Sequence, residues 1–69
     1  MYTRKQSLRL VKLIGKINKM DVGAAKKLRM RAYVQQAVLL DKPVNLKKLS
    51  QLSRKQIVHE KYNLNDNKK

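Results

Sequence analysis

Apolar residues recur along this chain at the period of a helix. From about Leu8 to Met20, Leu10, Leu13, Ile14, Ile17 and Met20 fall at three- and four-residue steps, which at about 100° per residue places them on one helical face. Val11 widens that stripe, while Arg9, Lys12, Lys16 and Lys19 gather on the opposite side. The spacing predicts a strongly amphipathic helix. Ser7 is its candidate N-cap, and Gly15 inside the pattern costs about 1 kcal/mol relative to alanine. Asp21-Val22-Gly23 then breaks the pattern. Asp21 can cap the next helix, and Gly23 can take a turn conformation.

A second helix is predicted over about Ala24 to Leu40, where Met30, Tyr33, Val34, Ala37 and Val38 form the template of a buried face. Leu28, Ala32 and Leu39 lie nearly opposite. A helix apolar on two sides needs two neighbours, and a second copy of the chain is the expected one. Asp41-Lys42-Pro43 ends this helix, because proline lacks the amide donor and disfavours helix in the residue before it. Asn45 can cap a short helix bearing Leu46, Leu49 and Leu52. Ser53 and Gln56 have the spacing of a capping box, so a fresh helix can begin near Arg54 and bury Ile57 and Val58. One helix or two over residues 46–62 are both compatible with this pattern.

The expected fold is therefore all-α, three to four short helices, as a dimer. Residues 1–62 make a single domain and residues 63–69 a disordered polar tail. The stretch Arg31-Ala32-Tyr33-Val34-Gln35-Gln36-Ala37-Val38-Leu39-Leu40 loosely resembles the second helix of ribbon-helix-helix proteins, including plasmid mobilisation accessory factors. That resemblance implies an alternative dimer in which residues 3–10 form a strand and the segment before Asp21 the first helix. Thr3, Lys5, Ser7 and Arg9 do alternate with Tyr2, Arg4, Gln6 and Leu8.

Charge changes the picture most. Eighteen Lys and Arg stand against Asp21, Asp41, Glu60 and Asp66, for a net charge of +14 on 69 residues. Self-repulsion of that size opposes compaction unless a polyanion neutralises it. Only Asp21 interrupts the basic residues from Arg4 to Arg31, and residues 32–41 hold no basic group, so a cationic region and an apolar one are separated along the chain. With no Cys, Phe or Trp, the core rests on aliphatic residues, and neither a disulfide framework nor a thiolate metal site is available. No apolar run reaches the length of about 18 residues that a membrane span needs. Arg4, Lys5, Arg9, Lys12 and Lys16 prevent a signal-peptide h-region. The expected location is the cytoplasm, with nucleoid association as a further expectation.

His59 is the single histidine, and the carboxylates are scattered. No catalytic pair, metal set or phosphate-binding glycine loop is read here, so neither an enzyme nor a cofactor is expected. Surfaces ordinarily mix both signs of charge, and the face of Arg9, Lys12, Lys16 and Lys19 does not. Lys26, Lys27, Arg29 and Arg31 crowd the start of the second helix, where the helix dipole disfavours cations unless an anion is present. These eight, with Arg54 and Lys55, are the candidate nucleic-acid-binding residues, gripping the phosphates of DNA before RNA. Asn45 to Lys61 can also form a helix-turn-helix, with Arg54, Lys55, Gln56 and His59 toward a groove. Tyr2 and Tyr62 are candidates for base stacking. The expected role is a regulator or accessory factor in transcription, replication or DNA transfer. The alternatives are a cationic amphipathic membrane-surface-binding or antimicrobial protein, and an adaptor for an acidic protein partner.

Overall fold

The computed structural model describes residues 2–65. Four helices follow one another: α1 (Arg4–Lys19), α2 (Ala24–Leu39), α3 (Leu46–Ser50) and α4 (Arg54–Asn65). The chain is all-helical, as its periodicity predicts, and the described residues contain no strand.

The ribbon-helix-helix alternative fails at its first element, because residues 4–10 belong to α1. Thr3 caps that helix, and Ser7 lies inside it. The Gln6 amide N–H donates to Thr3 Oγ1 at 3.1 Å, and the Thr3 N–H donates to Gln6 Oε1 at 2.8 Å. This reciprocal capping box satisfies two donors that a helix start otherwise leaves unpaired. Gly15 does not interrupt α1, which continues as one helix to Lys19.

At the start of α2 the N-cap is Gly23 and not Asp21, and no side chain caps the helix. Gly23 has φ −63°, so its special conformational freedom is not used. The end of α2 is more demanding. Asp41 takes the left-handed conformation, φ 57°, with its N–H donating to the Val38 carbonyl at 3.0 Å and the Lys42 N–H donating to the Ala37 carbonyl at 2.8 Å. These two bonds make a Schellman cap in which aspartate occupies the position usually given to glycine. The helix thus stops by its own hydrogen bonding before Pro43 is reached.

Asn45 caps α3, its Oδ1 accepting the Lys48 N–H at 3.1 Å. A three-residue turn, Gln51 to Ser53, separates α3 from α4, so residues 46–62 form two helices. The Ser53–Gln56 capping box is present, with Ser53 Oγ accepting the Gln56 N–H at 3.2 Å and Gln56 Oε1 accepting the Ser53 N–H at 2.8 Å. α4 runs on through Asn63 and Leu64, and Leu64 is half-buried. The polar tail assigned to residues 63–69 therefore starts too early, and residues 66–69 lie outside the described residues.

The core is a cluster of Ile17, Met30, Val34, Val38, Leu49 and Ile57, with Ala37 also buried. α2 supplies most of it and packs against α1 on one flank and α4 on the other. Tyr2, Leu10, Leu13, Met20, Tyr33, Leu46 and Leu52 close over the cluster as partly buried neighbours. Within the chain α1 and α4 cover the face of Met30, Val34, Ala37 and Val38, while on the opposite face of α2 Leu28 and Leu39 stay exposed. The side for which a second copy is expected thus has no full cover from the described residues. Val34, with 0% exposure, lies in this internal core and not at an open seam. Leu8, Val11 and Leu28 remain exposed.

Candidate functional site

No polar or charged residue is buried among the described residues. The cations therefore all keep access to solvent, and what distinguishes them is whether the fold has given them a partner. The structure divides the ten predicted positions into three sets.

Four have intramolecular acceptors. Arg9 is half-buried, and its Nη2 donates to the Lys42 carbonyl at 2.7 Å, bracing the connection after α2. Lys27 Nζ donates to the Asn18 carbonyl at 2.9 Å, and Arg31 Nη1 donates to Asn18 Oδ1 at 3.1 Å. Lys26 Nζ donates to the Ser50 carbonyl. Asn18 and Ser50 stand in the last turns of α1 and α3, where unpaired carbonyls and the negative end of the helix dipole favour a cation. These side chains hold helix ends in place, a structural role that sequence spacing does not predict.

A second set, Lys12, Lys16 and Lys19, forms an exposed stripe on α1 turned away from its core-facing residues Leu13 and Ile17. The third set, Arg29, Arg54 and Lys55, is also exposed and lines one cleft between α2 and α4. None of the four helices carries an acid in its first turn. The starts of α2 and α4 are thus doubly positive, from side chains and from helix dipoles.

Arg9 stands apart from the other candidates. Gln6 Nε2 donates to Asp41 Oδ1 at 3.0 Å and Tyr2 OH donates to the Gln35 carbonyl at 3.2 Å, which places the start of α1 against the end of α2. Lys26, Lys27, Arg29 and Arg31 lie toward the other end, where α1 finishes and α2 and α4 begin. Tyr2 is accordingly a packing residue. Tyr62, at 67% exposed, stays available for stacking. Arg54, Lys55, Gln56 and His59 are all exposed on α4, while Leu49 is buried and Leu46 and Leu52 pack against the core. This is the division of faces a helix-turn-helix needs.

A second hollow, of about 300 Å³, lies between Tyr33, Pro43, Val44, Leu49, Leu52 and Glu60. Burial, and then the negative charge of Glu60, push the Tyr33 hydroxyl above its ordinary pKa, so it stays protonated at neutral pH. Among the described residues no group of three or more His, Cys, Asp or Glu is placed to hold a metal ion, and no helix is long and apolar enough to cross a membrane.

Two features that matter here are not among the sequence-based expectations. The Thr3–Gln6 box has the same spacing as Ser53–Gln56 and carries the same signal. Asn18 carries none, since its two partners are nine and thirteen residues away. The fold and site define a small all-helical protein with an unneutralised cationic surface. No protein-family profile, no curated protein and no solved structure matches this chain.

Proposed function

We propose that this protein binds nucleic acid, duplex DNA before RNA, by contacting phosphates, and that it acts as a non-catalytic regulator or accessory factor in transcription, replication or DNA transfer. The observation that carries the reading is the stripe Lys12, Lys16 and Lys19, exposed on a helix with no acid in its first turn. A solvated surface kept only for solubility mixes both signs of charge, whereas a single-sign surface attracts a polyanion and gains affinity by releasing its counterions.

Titration of labelled duplex DNA, single-stranded DNA and structured RNA at about 50 and 200 mM salt tests this. With roughly six phosphates neutralised, log affinity falls against log salt with a slope near −5 on duplex DNA. Lys16→Ala reduces the magnitude of that slope by about one and weakens all sequences alike. Failure of all three nucleic acids to bind at the lower salt, with binding to anionic liposomes, replaces this reading with the membrane-surface one. That rival draws on exposed Leu8 and Val11 beside Lys12.

The homodimer expected from α2 has an apolar surface to use in Leu28 and Leu39, exposed on the side of that helix turned away from the core. Sedimentation at micromolar concentration decides the matter: a dimer dispersed by Leu28→Lys supports that seam, and a wild-type monomer rejects it.

A further inference from the structure

Arg29 on α2 and Arg54 and Lys55 in the first turn of α4 converge, with Val58, on a single cleft of about 320 Å³. All three cationic side chains are exposed, no acid lines the cleft, and among the described residues none of the three has a hydrogen-bond or ion-pair partner. Their neighbours behave differently. Lys26 reaches the Ser50 carbonyl, and Arg31 reaches Asn18.

Gathering three like charges from two helices is unfavourable by itself. The fold gains little in return, because Val58 needs only aliphatic cover, which one long side-chain stem supplies. An anion in the cleft reverses the balance. Two guanidinium groups present planar forks matched to tetrahedral phosphate oxygens, and a lysine adds a point charge.

We propose that this cleft is a phosphate-binding site that takes a backbone phosphodiester, with Arg29 and Arg54 as bidentate donors and Lys55 as the neutralising charge. The inference rests on the nucleic-acid reading and names the place where the backbone is gripped. A phosphate held there anchors the start of α4 on the strand and leaves Gln56 and His59, exposed on the same helix, next in line to meet base edges.

The test compares the full-length wild type with Arg29→Gln/Arg54→Gln and with a control of equal charge loss, Arg4→Gln/Lys5→Gln, at exposed positions in the first turn of α1. Circular dichroism checks that each is folded. The cleft variant should bind duplex DNA about tenfold more weakly at about 50 mM salt and show a salt slope smaller by about one, against less than about threefold for the control. Equal losses in the two variants overturn the cleft and leave the nucleic-acid reading standing. A second readout does not depend on DNA. Nuclear magnetic resonance titration of the wild type with inorganic phosphate should shift the signals of Arg29, Arg54 and Lys55 ahead of the other cations, and the double variant should lose that response. Shifts spread evenly over all lysines and arginines, or none, overturn the proposal. A saturable response at the cleft in a chain that binds no nucleic acid supports the phosphate site and overturns the nucleic-acid reading alone.

Discussion

The two ends of this molecule differ in how many of their positive and polar side chains the fold has partnered. Where α1 begins and α2 ends, Gln6, Arg9, Asp41 and Tyr2 all have partners, and the acceptors include the carbonyls of Gln35 and Lys42. Where α1 ends and α2 and α4 begin, Lys26, Lys27 and Arg31 reach Asn18 and Ser50, but Arg29, Arg54 and Lys55 share a cleft without an acceptor among the described residues. The difference follows from helix polarity. A helix C-terminus offers carbonyl oxygens that a cation can satisfy, and an N-terminus offers only N–H groups of the same sign. Lys26, Lys27 and Arg31 reach across to the last turns of α1 and α3 and are absorbed into the fold, whereas Arg29, Arg54 and Lys55 meet no such acceptor among the described residues and stay available to an external anion.

The largest expected effect concerns α2, which both ends share. Val34→Lys places an unpaired charge in a fully buried position, at a cost of several kcal/mol, about 3 or more, against a total stability of roughly 3–10 kcal/mol for a chain of this length. The variant should lose its helical circular dichroism as a monomer. A folded Val34→Lys chain that merely dissociates from a dimer would mean that the core is not internal.

Arg9→Ala and Arg29→Ala set the two ends against each other directly. Arg9→Ala removes a charge-assisted bond to the Lys42 carbonyl and should destabilise by about 1.5–3 kcal/mol. Arg29→Ala should stay within about 0.5 kcal/mol of wild type while weakening DNA binding more. Urea midpoints and DNA affinities measured on the same preparations check both halves, and equal effects on stability would erase the distinction.

Gly15→Ala sharpens the view of α1 as one continuous helix. A Cβ at Gly15 meets nothing within 4 Å, so the substitution should stabilise by about 1 kcal/mol, the helix-propensity difference. A loss of stability in thermal melts would reveal crowding there.

The smallest effect is one of pH. Burial and the Glu60 charge raise the Tyr33 pKa, so the folded chain holds this proton more tightly than the unfolded chain does. The resulting stabilisation is complete below the unfolded value of about 10 and disappears as pH rises through the raised folded value. Deprotonation of lysines in the same range relieves repulsion and masks the effect in wild type alone. The difference between wild type and Tyr33→Phe isolates it, and should move against wild type between about pH 9 and pH 11. A difference flat across that range would place Tyr33 in a more open and less charged setting.

Much of the architecture is carried by local chemistry that the residue order states outright. The all-helical character, the buried stripe of Met30, Val34 and Val38, the Asn45 cap and the Ser53–Gln56 box all follow from periodicity and hydrogen bonds spanning a few residues, though one helix or two over residues 46–62 fit the pattern equally. Thr3 and Gln6 belong with them, since the same spacing marks the start of α1. Tertiary structure decided what depends on which helix end comes near which side chain. The sequence places Arg9, Lys27, Arg29 and Arg31 in equally basic surroundings, yet three of them meet acceptors and Arg29 does not, because a partner 13 or 33 residues away exists only once α1 lies along α2. The cover of α2 was settled in the same way: its two-sided pattern calls for cover on both flanks, and only the tertiary structure shows that α1 and α4 close over Met30, Val34 and Val38 and leave Leu28 and Leu39 exposed.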